Sequence, residues 1–294
     1  MTEDSTAKLT TTNHRPPSVG RFLAIENSGV AEDSGLGHLT VVSPALKGRG
    51  DITYWIPPQA QQYSDLPVVV LLHGVYGSHW AWADQARAHQ TAHRLIAEHK
   101  MKPCILAMPS DGLAGEGSGF INTPNEGPQY ENWIADDVPD AMRHAVAQIG
   151  NGSRFYLAGL SMGGFGAMRI GARRGDRFAA FSGMSSLTHL RQMSWCTHQA
   201  DLFLDLPDHT ACLLHSLLEN NSYGPFRFDC GFDDYLIEEN RKLHAVLLKN
   251  GIDHQYQEYP GEHNWDYWRE HLADTLQFFH HVNESIPKKS QNMK

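Results

Sequence analysis

The chain has 294 residues, and its 24 lysines and arginines against 33 aspartates and glutamates give a formal net charge of −9 at pH 7. Because this acidic balance provides no basic surface for nucleic acid or for an anionic membrane, we expect neither as a partner. An α/β domain can extend to roughly 250 residues on one core, so the length is compatible with a single domain.

The two ends of the chain differ in composition from its centre. Residues 1–20 are polar and lack the basic segment and apolar core of a secretory signal, which favours a cytoplasmic protein. We expect 1–20 to be disordered and 284–294 to be a flexible tail, on either side of a single domain over 21–283. No apolar run approaches the ~18 residues that a membrane-spanning helix needs.

Hydrophobic periodicity alternates between short β-branched runs and longer helical stretches, which is typical of an α/β fold. The alternating segments 39–43 and 51–56 predict an antiparallel pair of strands at the edge of a sheet. The continuous apolar run Val68–Leu72 predicts a strand buried on both faces, and 81–100 predicts a helix. Further strands are predicted at 104–108, 154–158, 178–181, 226–230 and 254–259, and further helices at 131–148, 162–174, 235–250 and 265–282.

Two segments interrupt this alternation. Residues 110–129 are rich in glycine, proline and asparagine and are too long for a simple connection, which indicates a functional surface loop. Residues 185–225, after the sixth predicted strand, mix short helical patterns and are interpreted as an excursion that could form a cap over a site. The sequence predicts a mostly parallel central sheet with helices on both faces.

Residues 159–163 read GLSMG and match the G-x-S-x-G pattern between a predicted strand and a predicted helix. In that context the pattern predicts the nucleophile elbow of an α/β hydrolase. The turn is so tight that its serine adopts strained backbone angles, and the flanking glycines remove side chains that would collide there. Ser161 is therefore the candidate nucleophile.

A serine hydroxyl needs a base to remove its proton, and the base needs a carboxylate to orient it. In this fold the acid and then the histidine follow the serine along the chain. His263 lies in the turn after the last predicted strand, whereas the later histidines fall on a helix. Asp233 and Asp234 both follow the strand ending at Cys230, and spacing alone does not decide which of them orients the histidine. The aspartate that does not orient the histidine is expected to cap the next helix.

The predicted oxyanion hole requires two backbone N–H groups. One belongs to Met162, the residue after the nucleophile, and the other to the loop that follows Val68–Leu72. Gly74 allows that loop to turn its amides toward the site, so Val75 or Tyr76 supplies the second donor. His73 is interpreted as a structural residue.

Neither a metal nor a cofactor is expected. His89 and His93 have helical i, i+4 spacing, but no carboxylate pattern accompanies them, which favours a solvated helix face. The glycines of 115–119 follow no strand and open no helix, which argues against a dinucleotide site. The four cysteines form no CxxC pattern and are expected to be reduced, although Cys196 and Cys212 could pair in an oxidising compartment.

The elbow, the loop after Val68–Leu72 and the segments around Asp234 and His263 resemble those of the putative esterase family of the α/β-hydrolase superfamily. That family includes esterase D (S-formylglutathione hydrolase), feruloyl and acetylxylan esterases and mycolyltransferases. The resemblance extends from about residue 37 to residue 279. It is carried by LLHGVYGSHWAW at 71–82, YENWIADDVP at 130–139, AGLSMGGFGAMRIGARR at 158–174, CGFDDYLIEENRKLH at 230–244 and PGEHNWDYW at 260–268. It implies Asp234 as the acid, His263 as the base, Val75 and Met162 as oxyanion donors, and Trp133 in the acyl pocket.

The chain departs from the family pattern in several places. Leu160 stands where an S-formylglutathione hydrolase would normally have a histidine, and ARRGDRF replaces the usual His-Pro step. Feruloyl esterases that act on glycans are typically secreted, and this chain shows no signal. The excursion 185–225 is the least family-like segment, so substrate choice is expected to reside there.

The sequence predicts a serine carboxylesterase that hydrolyses small-molecule esters with short acyl or aryl groups through an acyl-enzyme intermediate. Alternatives are a feruloyl or acetylxylan type of esterase, a thioesterase like S-formylglutathione hydrolase, an acyltransferase to an alcohol other than water, and a non-catalytic binding protein. A homodimer is left open. Aromatic residues near the site could wall the pocket or pack in the core. The candidate substrate-binding residues are Gly74, Tyr76, Trp80, Trp133 and Trp265.

Overall fold

The computed structural model describes residues 19–112, 115–124, 126–198, 203, 205–219 and 222–287. Of the disordered segment expected over 1–20 and the flexible tail expected over 284–294, residues 1–18 and 288–294 lie outside the described residues. The strands of the described part are β1 Ile25–Val30, β2 Leu36–Ser43, β3 Gly48–Trp55, β4 Val68–Leu72, β5 Ile105–Pro109, β6 Phe155–Leu160, β7 Ala180–Met184, β8 Phe226–Gly231 and β9 Gln255–Tyr259.

These strands form one sheet in the order β1-β2-β3-β5-β4-β6-β7-β8-β9. Strands β1, β2 and β3 are antiparallel to their neighbours, and all pairs from β5 to β9 are parallel. The predicted antiparallel edge and the mostly parallel sheet of an α/β fold are confirmed. Every residue of β4 is buried, as its continuous apolar run predicts.

Strand β1 was not predicted, because five of its six residues are exposed and its side chains show no apolar alternation. It is held by antiparallel backbone pairing with β2. The additional strand means that the excursion 185–225 follows the seventh strand rather than the sixth. Strand β7 begins at Ala180, two residues after its predicted start, since it pairs in register with β6.

The helices lie on both faces of the sheet. Val68, Val70 and Leu72 of β4 belong to one hydrophobic cluster, and Val69 and Leu71 belong to another on the opposite face. The helices of the described residues are α1 Ala81–Asp84, α2 Ala88–Ala97, α3 Tyr130–Asn132, α4 Val138–Ala145, α5 Met162–Arg173, α6 Asp208–Ala211, α7 Leu213–Glu219, α8 Ile237–Lys249 and α9 Trp265–Ser285. None of them is long and apolar enough to cross a membrane.

Two predicted helices are interrupted. The helix expected over 81–100 is divided where Arg87 adopts the left-handed conformation, with φ of 51°. The helix expected over 131–148 contains a π-helical turn, Trp133–Asp137, and ends at Ala145. Such local departures from the α-helix carry no periodicity signal of their own, so hydrophobic pattern alone does not locate them.

A buried ion pair joins the helix that follows the nucleophile to the segment before the π-helical turn. Arg169 of α5 donates to the Glu131 carboxylate over 2.6 Å and to the Thr210 carbonyl over 2.9 Å. Both charged side chains are less than a tenth exposed. Arg169 therefore fastens α5 to α3 and to α6 of the excursion.

We expect Glu131→Gln to lower the free energy of unfolding by roughly 3–5 kcal/mol, because it leaves the Arg169 guanidinium buried without its counter-charge. Chemical denaturation at neutral pH measures the change. The matched control is Glu239→Gln, which removes a surface pair with Lys242 and should cost about 0–1 kcal/mol. Equal decreases in the free energy of unfolding for the two variants would show that the buried ion pair contributes no more to stability than the surface pair.

Candidate active site

Ser161 occupies the turn between β6 and α5. Its φ of 54° and ψ of −120° lie in a region that non-glycine residues rarely adopt. The glycines on either side make this turn sterically feasible: a Cβ on Gly159 would lie 2.1 Å from the Gly163 carbonyl oxygen, and one on Gly163 would lie 2.4 Å from the His73 carbonyl oxygen. The turn has the geometry of a nucleophile elbow.

A continuous hydrogen-bond relay connects Ser161 to His263 and Asp234. The His263 Nε2 atom lies 3.0 Å from Ser161 Oγ, and His263 Nδ1 lies 2.8 Å from Asp234 Oδ2. A carboxylate only accepts hydrogen bonds, so Nδ1 carries the hydrogen and Nε2 is left to accept the serine proton. These are the positions that a nucleophile, its base and the orienting acid require.

The structure distinguishes the two neighbouring aspartates. The Asp234 side chain is fully buried, and its second oxygen accepts from the Leu236 amide at 2.8 Å. The Asp233 residue is exposed, and its backbone amide donates to the Gly261 carbonyl. The helix cap expected of the second aspartate is not formed by Asp233, because Asp234 itself bonds the amide just before α8.

His263 is positioned by the turn before α9. Gly261 has φ of 136°, and Asn264 caps the helix by accepting from the amides of Asp266 and Tyr267. These two features fix the backbone on both sides of the histidine, directly after β9.

Two aromatic rings enclose the His263 imidazole. Tyr235 lies 4.6 Å from it between ring centroids, and Trp268 lies 5.0 Å away, edge-on at 88°. Burial raises the pKa of Tyr235 and of the Cys230 thiol nearby, so both groups stay neutral. Sequence reasoning missed Tyr235, although it follows the aspartate pair directly.

Two backbone amides near the elbow are unused. Met162 begins α5, and neither its N–H nor that of Val75 has a protein hydrogen-bond partner among the described residues. The Tyr76 amide, by contrast, donates to the Glu116 carbonyl at 3.0 Å. Val75 is therefore the available donor of this loop. A Cβ on Gly74 would lie 3.4 Å from the Ser161 Cβ, which places the loop against the serine.

His73 has the contacts of a structural residue. Its side chain is buried, and its Nδ1 lies 2.7 Å from the Gly74 carbonyl oxygen.

The candidate substrate-binding aromatics occupy different environments. Trp133 is fully buried, donates to the Ser110 carbonyl and packs where a side chain on Gly50 would lie. It is a core residue in this structure, and the place in the acyl pocket that the resemblance implied for Trp133 stays a prediction. Trp265 packs on Trp268, one ring removed from His263. Trp80 and Tyr76 are exposed.

The excursion contributes residues that sequence reasoning did not assign to the site. We call its described part at 190–198 the cap edge. The Tyr76 hydroxyl donates to the Cys196 carbonyl at 3.0 Å, and the exposed Trp195 ring lies 6.4 Å from that of Tyr235. The cap edge therefore lies beside the loop at 73–77, which we call the oxyanion loop. It also lies beside Tyr235, the ring that packs on His263.

The chain is similar to known esterases. The family model described as "Putative esterase" matches residues 43–279. An acetyl esterase of Caldicellulosiruptor saccharolyticus is 25% identical over 239 residues, which cover 75% of this chain and 85% of the relative.

Solved structures show the same fold. A ferulic acid esterase is 25% identical with a TM-score of 0.72. The match covers 84% of this chain and 98% of the ferulic acid esterase chain. An S-formylglutathione hydrolase from Agrobacterium tumefaciens is 20% identical with a TM-score of 0.71, covering 87% and 98%. At that identity the second likeness supports the fold alone.

We expect Asp234→Asn to lower kcat for an activated aryl acetate by about 10⁴, because the amide lets the imidazole take the wrong tautomer. Asp233→Asn is the matched control and should retain the activity of the unmodified chain. Steady-state kinetics on both variants, with circular dichroism to verify folding, measures the difference. A larger loss in Asp233→Asn would transfer the orienting role to that residue.

Proposed function

The chain belongs to the "Putative esterase" family and is a carboxylic ester hydrolase, and we propose that Ser161, His263 and Asp234 are its catalytic triad. The observation that carries this proposal is the relay of 3.0 Å and 2.8 Å that ends on a serine in a strained elbow. Chemical groups placed in this way are those of acyl transfer through a covalent intermediate.

In the proposed reaction Ser161 Oγ attacks the ester carbonyl carbon while His263 Nε2 takes the hydroxyl proton. The imidazolium that results is stabilised by the buried Asp234 carboxylate. Collapse of the tetrahedral intermediate breaks the bond to the alcohol, which leaves with the proton from His263. Water then attacks the acyl-enzyme by the same route and releases the acid.

The oxyanion of each tetrahedral intermediate is proposed to accept hydrogen bonds from the amides of Val75 and Met162. Both amides adjoin the elbow and lack another partner within the described part of the chain. Donors held in place before the reaction stabilise the developing charge without a reorganisation cost. The proposed sequence of steps requires no cofactor.

We propose esters with short acyl groups or aryl groups as substrates. The exposed ring of Tyr235 packs on His263, Trp195 lies beside Tyr235, and Tyr76 bonds the residue after Trp195. These rings offer flat apolar surfaces to an aryl group. The acetyl esterase and the ferulic acid esterase among the relatives are named for a short acid and an aromatic acid. Leu160 in place of a histidine favours oxygen esters over an S-formylglutathione-type thioester.

The excursion 185–225 is proposed to act as the cap that selects the substrate. Its support is the pair of contacts made by the cap edge, one through Cys196 to Tyr76 and one through Trp195 to Tyr235.

A fluorophosphonate should label Ser161 stoichiometrically, because His263 activates the serine hydroxyl for attack on the electrophilic phosphorus. Peptide mapping by mass spectrometry locates the label, and Ser161→Ala is the control that should remain unlabelled. Prior treatment with a chelator should leave both labelling and turnover unchanged. A label on another residue, or activity lost with the chelator, would contradict the proposed mechanism.

Aryl acetates and butyrates should be hydrolysed with higher kcat/KM than aryl esters of about ten carbons, since Ser161 is buried and leaves little room beside it for a long acyl chain. A series of 4-nitrophenyl esters measures the trend. The short-chain proposal is wrong if kcat/KM rises steadily from acetate to decanoate. Ester products exceeding free acid at modest alcohol concentration would instead identify an acyltransferase.

A further inference from the structure

We infer that Tyr76 and Glu116 are positioning residues that couple the cap edge to the oxyanion hole. The inference rests on the proposed function, because it assigns these residues a role at the amides of Val75 and Met162. Tyr76 and Glu116 do not touch the reacting atoms in this role. They determine where the donors lie.

The Val75 amide is fixed through the two peptide planes around it. The Gly74 carbonyl shares a peptide plane with the Val75 N–H, and it accepts from the Gly77 amide at 3.2 Å and from His73 Nδ1 at 2.7 Å. The next plane is anchored where the Tyr76 amide donates to the Glu116 carbonyl at 3.0 Å. Since peptide units are planar, these bonds define the direction of the Val75 N–H.

Tyr76 itself has φ of 60°, a left-handed conformation that is strained for a tyrosine. Such a conformation persists only where the surroundings hold it. Here the backbone is held by Glu116, and the side chain is held by the hydrogen bond from its hydroxyl to the Cys196 carbonyl. Loss of the second bond frees the residue to relax, and the adjacent Val75 amide moves with it.

The Glu116 carboxylate makes the second connection to the cap edge. It accepts from the His198 backbone amide at 2.6 Å and lies 3.1 Å from His198 Nδ1. Glu116 thus bonds the oxyanion loop through its carbonyl and the cap edge through its side chain. Tyr76 and Glu116 together form what we call the clamp.

The residue after Glu116 extends the clamp to the other oxyanion donor. A Cβ on Gly117 would lie 2.6 Å from Met162 Sδ and 3.5 Å from Met193 Cε. The Gly117 backbone is therefore packed against the side chains of Met162 and of Met193 in the cap edge. A displacement of the cap edge would reach both proposed donors through this one loop.

The clamp predicts an effect on kcat that leaves KM nearly unchanged. A displaced amide weakens the bond to the oxyanion, which exists in the transition state but not in the bound ester. Removal of a whole oxyanion donor costs about 10²–10³ in kcat, and displacement of a donor that remains present should cost less. We expect Tyr76→Phe and Glu116→Ala each to lower kcat by about tenfold, on the same reasoning.

The test compares Tyr76→Phe, Glu116→Gln, Glu116→Ala and the Tyr76→Phe/Glu116→Ala double variant with the unmodified chain. Steady-state kinetics on 4-nitrophenyl acetate, inhibition by phenylboronic acid and melting temperature are measured for each. The boronate forms a tetrahedral anion on serine, so its inhibition constant should rise in proportion to the fall in kcat. Glu116→Gln keeps an oxygen that accepts from the His198 amide and should retain more activity than Glu116→Ala.

Two surface variants serve as controls. Tyr63→Phe alters an exposed tyrosine on the loop before β4, and Glu239→Gln alters a carboxylate that pairs with Lys242 on α8, outside the excursion. Both should match the unmodified chain. The double variant should lose less than the product of the single losses, because both bonds support one clamp.

The clamp is overturned if the variants raise KM alone, retain full kcat, or lose activity only in proportion to a fall in melting temperature. The rate of Ser161 phosphonylation by a fluorophosphonate, measured on every variant, separates this outcome from failure of the proposed function. An unmodified chain that neither hydrolyses esters nor reacts with the phosphonate contradicts the triad and the clamp together. A reactive unmodified chain with equally reactive variants contradicts the clamp alone.

Discussion

The strained turn at Ser161 is the constraint on which the rest of the site depends. Its amide donates to the Met184 carbonyl at 2.9 Å, and its carbonyl accepts from the amides of Phe165 and Leu187. These bonds connect the serine to the end of β7, to the first turn of α5 and to the start of the excursion. A backbone conformation that is unfavourable in isolation is thereby maintained, and it holds the Ser161 hydroxyl within hydrogen-bond distance of His263 Nε2.

Burial determines which charged group acts on the His263 imidazole. The Asp234 carboxylate lies out of water and accepts from His263 and from the Leu236 amide, so its charge acts on the imidazole with little screening. Burial also raises the pKa of Tyr235, so the phenol that packs on the His263 ring stays neutral. In the proposed mechanism the His263 imidazolium therefore has one strong anionic partner, on the side opposite the serine.

The surface loops around the serine are coupled because each uses backbone groups of another. The oxyanion loop bonds the Glu116 carbonyl, and the Glu116 carboxylate bonds the backbone of the cap edge. Hydrogen bonds to main-chain atoms fix peptide planes rather than mobile side chains. The proposed oxyanion donors are therefore linked to the cap edge of the excursion.

Local patterns in the sequence determined the elbow, the buried strands and His263, because glycine spacing, apolar runs and chain order are properties of neighbouring residues. Tertiary structure decided what depends on distant partners. It brings Asp234 rather than Asp233 to His263, and it engages the Tyr76 amide with Glu116 while the Val75 amide has no protein partner in the described part of the chain. It also placed Trp133 in the core against Gly50, about eighty positions away in the chain. Contacts across such separations leave no periodic signal, so only the folded chain specifies them.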